Sequence, residues 1–344
     1  MRFKASIHNI TTFTKLTASL NSLGPLAWVK LSDEHVCFTI IPEQGTQVWA
    51  VLSIDSIFET YTVQSAAGNV INLEVPLTSL TRALKSALNA TSAQLRLTKK
   101  DSAPLLALTI AVANAPNAHA AFPATAANND DGFDAPFDSA FGSGNRETIV
   151  TQEIPVRVLA PDTVAGLHEP QCREPDVHII LPPLLQLKSI SDRFTKLAMA
   201  GVKSGAATAP SRTRLEVAAN MHGCLRLSIK TDAMSISSVW TDLNNPELDP
   251  SQVTGIAEHP STRMKQLGTA DGRSDEGWAS VRIDGRDWGK VMSVGRLGGR
   301  VIACECECAL CFCHDHALIL YVYLPSDNGE DESVLTYYVS SYSA

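Results

Sequence analysis

At 344 residues the chain is too long for one small core, and its length predicts two domains. Hydrophobic residues make up 44% against 19% charged, so most of it can fold, while a formal net charge of −8 excludes a protein that coats nucleic acid with its whole surface. Local basic faces on an acidic body remain open, and these confine where a polyanion can sit.

No apolar run reaches the length needed to span a bilayer, so no membrane partner is expected. The start, Met1-Arg-Phe-Lys-Ala-Ser-Ile-His, alternates like a strand and lacks the apolar block of a signal peptide. Eight cysteines without a secretion signal point to reduced thiols inside a cell.

In chain order, Phe3, Ala5 and Ile7 give a short first strand. Phe13, Leu16, Leu20 and Leu23 form a helical stripe that leaves Lys15 pointing away, and Gly24-Pro25 ends it. Short strands are expected at 28–31, 36–41, 47–53, 57–63 and 70–75, with turns at Asp33-Glu34 and Gly68-Asn69. In the helix expected over 77–90, Leu77, Leu80, Leu84 and Leu88 make one apolar stripe with Ala83 and Ala87 beside it. Arg82, Lys85, Ser86 and Asn89 lie opposite with no carboxylate, and Thr78 or Ser79 can cap the start. Taken alone, this is an ordinary solvated face. Strands at 93–97 and 105–112 follow.

From 113 to 145 the composition turns to Ala, Asn, Asp, Pro and Gly, which cannot offset its own conformational entropy and predicts a disordered loop. Phe133, Phe137 and Phe141, four apart in acidic surroundings, are either a partner-docking motif or part of that disorder. A strand resumes at 149–159 with Ile154, Val156 and Val158 on one face. The three prolines of 160–176 then read as a linker.

The second half repeats the plan. After a strand at 177–181, Leu184, Leu187, Ile190, Phe194 and Leu197 form a helical stripe flanked by Lys188, Arg193 and Lys196, with Asp192 the one acid. Strands are expected at 214–218, 225–230 and 234–240, the last carrying Met234, Ile236 and Trp240. The stretch 242–277 reads as loop. A weaker helix at 284–294 bears Gly285 and Gly289, with Trp288, Val291 and Val294 on one side and Arg286 and Lys290 on the other. Strands at 301–312, 318–324 and 334–340 close the chain. Each half thus has two helices with outward cations: Lys15, Arg82, Lys85, Lys188, Arg193, Lys196, Arg286 and Lys290.

Several stretches together resemble the HUS family, a subunit of the heterotrimeric nine-one-one DNA-damage checkpoint clamp related to PCNA. They are Met1-Arg-Phe-Lys-Ala, Leu80-Thr-Arg-Ala-Leu-Lys-Ser-Ala, Leu95-Arg-Leu-Thr, Gln152-Glu-Ile-Pro-Val-Arg-Val, Pro175-Asp-Val-His-Ile-Ile-Leu-Pro and Asp242-Leu-Asn-Asn-Pro. They stand in the family's order across most of the chain. The loops at 113–145 and 242–277 depart from shorter members. The resemblance implies an α+β fold of two clamp domains, each an antiparallel sheet assembly with two helices lining an inner face. The expected boundaries are 1–159, a connector at 160–176, and 177–344.

It further implies that the eight cations face duplex DNA and screen phosphates without reading bases. Subunits would join through edge strands, here 149–159 and 233–240, which places Ile154, Val156, Val158, Met234, Ile236 and Trp240 at the interfaces. The implied partners are two other clamp subunits, a clamp loader, and checkpoint and repair proteins, some at a pocket bordered by the connector. The implied setting is the nucleus.

Other chemistry is weighed against this. Cys304-Glu-Cys-Glu-Cys-Ala-Leu-Cys-Phe-Cys-His-Asp-His offers Cys308, Cys311, His314 and His316 as zinc or copper ligands. On a strand, however, Cys304, Cys306 and Cys308 stand about 7 Å apart along one face, and no second CxxC meets the first. Buried thiols on a hairpin are the preferred reading, so no metal or cofactor is expected. There is no GxxxxGK[ST], HExxH or GxSxG, Gly295-Arg-Leu-Gly-Gly reads as a turn, and no catalytic constellation stands out. The rivals are a self-assembling replication-type clamp and a thiol-based metal or redox protein.

Overall fold

The computed structural model describes residues 1–43, 45–113, 147–202, 214–231, 234–248, 255–269, 271–272, 274–297, 308–324 and 333–342. Burial of Phe3, Ala5 and Ile7 turns Arg2 and Lys4 outward and makes β1 (Arg2–Ile7). Asn9 caps α1 (Ile10–Asn21), its Oδ1 accepting from the Thr12 amide at 3.0 Å. Then come β2 (Leu26–Leu31), β3 (His35–Ile40), β4 (Gln47–Ser53), β5 (Phe58–Gln64), β6 (Ile71–Pro76), α2 (Leu77–Ser86), β7 (Ser92–Lys100) and β8 (Ala103–Ala113). After them stand β9 (Glu147–Pro155), β10 (Arg157–Val158) and α3 (Pro161–Val164).

The second half runs β11 (Val177–Ile180), α4 (Leu184–Val202), β12 (Arg214–Asn220), β13 (Leu225–Lys230), β14 (Ser235–Trp240), α5 (Pro260–Gln266) and β15 (Trp278–Asp284). It ends with α6 (Gly285–Val291), a 3-10 turn (Met292–Arg296), β16 (Cys308–Cys313), β17 (Ala317–Leu324) and β18 (Ser333–Ser340).

These strands form three antiparallel sheets, ordered β5-β1-β7-β8-β9, β10-β6-β2-β3-β4-β18-β17-β16-β11 and β14-β13-β12-β15. The nine-stranded sheet crosses from one half to the other where β4 pairs with β18, Ala50 opposite Leu335 and Val48 opposite Tyr337. All four of those residues are fully buried, so the halves share one continuous core.

The structure corrects several boundaries. The single strand expected at 149–159 is two. Pro155 has no amide to continue the ladder, Val156 bonds the Pro104 carbonyl at 3.2 Å, and Arg157–Val158 crosses to pair with β6 in the other sheet. The expected loop at 242–277 contains α5, begun by His259 and Pro260, and the strand β15 after it was not expected. The linker at 160–176 contains α3. Of the strand expected at 301–312, residues 301–307 lie outside the described residues, as do Ala233, Gly299 and 114–146 with Phe133, Phe137 and Phe141.

Two details show why unpromising sequence is ordered. The glycines that weaken α6 and its 3-10 extension admit α4 at close range. A Cβ at Gly285 would lie 2.5 Å from Thr195 Oγ1, and one at Gly295 would lie 2.7 Å from Leu184 Cβ. The stretch Asp242-Leu-Asn-Asn-Pro is tied down by Asn245. Its Nδ2 donates to the His178 carbonyl at 2.7 Å and its Oδ1 accepts from the Gly223 amide at 2.8 Å. The Ile180 amide also bonds the Asn244 carbonyl at 2.8 Å, so this loop covers the exposed edge of β11.

Candidate nucleic-acid interface

Four helices, α1, α2, α4 and α6, adjoin one another through the 3-10 turn. α2 packs on α1, α1 on the 3-10 turn, and that turn and α6 on α4. Each buries an apolar face. In α2, Leu77, Leu80, Ala83 and Leu84 are inside, and Arg82 and Lys85 stand exposed. No side chain caps this helix, because Pro76 holds the cap position and has no polar side chain; Thr78, already inside the helix, donates from Oγ1 to Asn21 Oδ1 at 2.9 Å and fastens α2 to the end of α1. Lys15 is half-exposed on α1, and neither helix contains a carboxylate.

The eight sequence-derived cations divide by their neighbours. Lys188 is 18% exposed and donates both to Asp192, at 3.0 Å, and to the Gly289 carbonyl, at 2.9 Å, so it is a strut between α4 and α6. Lys290 is held by Asp287 at 3.0 Å. Arg286 is exposed at the start of α6. Lys15, Arg82, Lys85, Arg193 and Lys196 make no ion pair among the described residues, and the last four are exposed. Leu197, expected in the apolar stripe of α4, is 49% exposed and lies beside Lys196.

β9 and β14 are both edge strands, each paired on one side. Ile154 and Val156 turn into the chain's own core at 2% and 8% exposure, and Val158, Met234, Ile236 and Trp240 pack partly against it. Those side chains are therefore engaged inside the chain, and at these edges Ile149, Val150 and Val239 are the exposed apolar residues. Edge position depends on which strands pair across the fold, which the local pattern of 149–159 does not contain.

From Cys308 onward the cysteine-rich stretch forms the first strand of the β16–β17 hairpin, with His314-Asp315-His316 at its turn and Asp315 at φ +55°. Burial raises the Cys311 thiol to about 12 and the Cys313 thiol to about 11, so without a ligand both are protonated, as buried structural thiols are. Cys313 Sγ lies 3.5 Å from the Arg173 carbonyl of the connector. Among the described residues no three His, Cys, Asp or Glu side chains gather as a metal site, and Cys304 and Cys306 lie outside them.

Antiparallel sheets joined across two halves, with α1 and α2 packed together in one and α4 and α6 in the other, define a sliding-clamp fold. Solved PCNA structures from Thermococcus kodakaraensis (TM-score 0.58, 14% identity, covering 99% of this chain and 100% of that one) and Entamoeba histolytica (TM-score 0.56, 12% identity, 99% of both) share it. A family model described as Hus1-like protein matches residues 1–343. The chain is 38% identical over 343 residues to Checkpoint protein hus1 of Schizosaccharomyces pombe (strain 972 / ATCC 24843), spanning 99% of both. It is 25% identical over 256 residues to human Checkpoint protein HUS1, spanning 72% of this chain and 76% of that protein. The chain belongs to the Hus1 family.

Proposed function

We propose that this chain is one subunit of a heterotrimeric checkpoint clamp that encircles duplex DNA in the nucleus, without catalysis, as a platform for damage-signalling and repair proteins. The observation that carries this reading is the row of adjoining helices whose outward cations Lys15, Arg82, Lys85, Arg193 and Lys196 have no carboxylate partner among the described residues. Such a surface attracts phosphates in any sequence and holds none of them in fixed geometry. Arg286 and Lys290 would add charge at the border, whereas Lys188 serves the fold.

Two clamp domains at 1–159 and 177–344 would be joined by the connector at 160–176. Glu169 of that connector accepts a hydrogen bond from Tyr338 on β18 at 2.9 Å, which holds the segment against the sheet where clients would bind. The edges β9 and β14 would each receive a strand from one of the two other subunits, and a clamp loader would open one such junction.

Light scattering on the chain alone and with the two other clamp subunits tests the assembly. A monomer that becomes a one-to-one-to-one complex is expected, and a stable self-trimer would replace this reading with a replication-type clamp.

A further inference from the structure

We propose that the outward face of β1 and β7 is a docking surface for an acidic segment of a partner protein. Lys4 stands directly opposite Arg96 in the β1–β7 register, and Arg2 is two residues further along the same face. All three are exposed and make no ion pair among the described residues. Like charges set directly opposite on a sheet repel, so this arrangement costs the isolated fold something. It occurs in a chain where 36 acids outnumber 28 Lys and Arg.

The neighbours on this face are neutral: Thr62 opposite Lys4, Gln64 opposite Arg2, and Gln94 beside Arg96. Glu153, the carboxylate in the row of Arg96, is held by Lys100 at 2.7 Å, and Glu59 is the extra residue of the bulge near the other end of β5, outside the ladder pairs that hold Arg2 and Lys4. A hollow lined by Met1, Arg2, Gln64 and Asn69 continues the patch beyond the strand ends. Phe3, Ala5 and Leu95 point to the opposite side of the same sheet, into the core that α1 and α2 cover, so this patch is separate from the helix surface.

Charge and size favour a peptide over a duplex. Three cations within two strands, about 4.8 Å apart, and two residues, about 7 Å, match two or three carboxylates on an extended segment. Neutralising three phosphates would give a duplex only a shallow salt dependence and weak attachment.

The test is fluorescence anisotropy on the full chain with a labelled aspartate-rich peptide and its asparagine counterpart. The aspartate peptide should bind and the asparagine peptide should not. Lys4→Glu should weaken binding about tenfold, while creating an opposite-charge pair with Arg96 that raises the melting temperature. A docking role predicts that opposition of stability and binding, which simple surface damage would not produce. Lys4→Gln/Arg96→Gln, which removes the repulsion, is the second variant and should lose binding as well.

Equal affinity in these variants would overturn the proposal, as would loss of binding in Arg82→Glu/Lys85→Glu, which would assign the peptide to the helices. Tighter peptide binding after deletion of 128–142 would name the chain's own Asp130, Asp131, Asp134 and Asp138 as the occupant in place of a partner. Ring assembly and DNA retention are read separately, so failure here leaves the clamp reading standing.

Discussion

His178, at the start of β11, donates from Nε2 to the Pro246 carbonyl at 2.6 Å, while its buried Nδ1 has no partner among the described residues. Burial is the main cause that lowers its pKa; the Pro246 contact acts the other way, and His259 and Lys265 add smaller lowering effects. A histidine with a depressed folded pKa contributes stability above the unfolded value of about 6.5, and this is lost as pH falls below it. Denaturant titrations across that range should show stability falling with pH, and His178→Gln should flatten the fall. The glycines facing α4 make a second residue-scale prediction. Thr195 is stiff at χ1 and its hydroxyl is already bonded to the Ser191 carbonyl at 3.0 Å. Gly285→Ala should therefore cost about 1–3 kcal/mol in urea unfolding, although alanine is the better helix former.

Among elements, α2 was the most legible, because buried Leu77, Leu80 and Leu84 and its two exposed cations follow from a 3.6-residue period, but the helix ends at Ser86 instead of 90 and leaves Leu88, expected in the stripe, 46% exposed. α5 and β15 were not read from the sequence for different reasons. The His259-Pro260 start of α5 is a recognisable signal, but it sits in polar, glycine-containing surroundings. In β15, Ala279, Val281 and Ile283 alternate cleanly and are fully buried, yet the strand is squeezed between a loop and a helix start. Neither Thr78 nor Ser79 caps α2, because the helix already begins at Leu77, and the bond from Thr78 to Asn21 of α1 is a tertiary contact with no local trace. On the clamp reading, Arg82→Gln/Lys85→Gln should leave stability unchanged and reduce the salt slope of the assembled ring's DNA retention by about 2. At the edges, Val150→Lys or Val239→Lys should shift the chain's own stability by less than about 0.5 kcal/mol and weaken assembly, as light scattering would show.

On the scale of the whole molecule, the β4–β18 seam makes the two halves one folding unit. Ser333 Oγ accepts from the Ser53 amide at 2.9 Å across 280 residues of sequence, among buried residues from both ends of the chain. A fragment of 1–159 would present β4 with Val48, Ala50 and Leu52 uncovered, and should self-associate where the intact chain does not; sedimentation would register it. That seam was illegible beforehand, since the alternation in both strands says that each pairs but not with which partner. It also has a consequence in time. The strand that completes the first half is made some 280 residues after the one it pairs with, so a nascent chain carries an open sheet edge while all the residues between are synthesised. Production of this protein should therefore depend on chaperones and on steady elongation, more than its finished architecture would suggest.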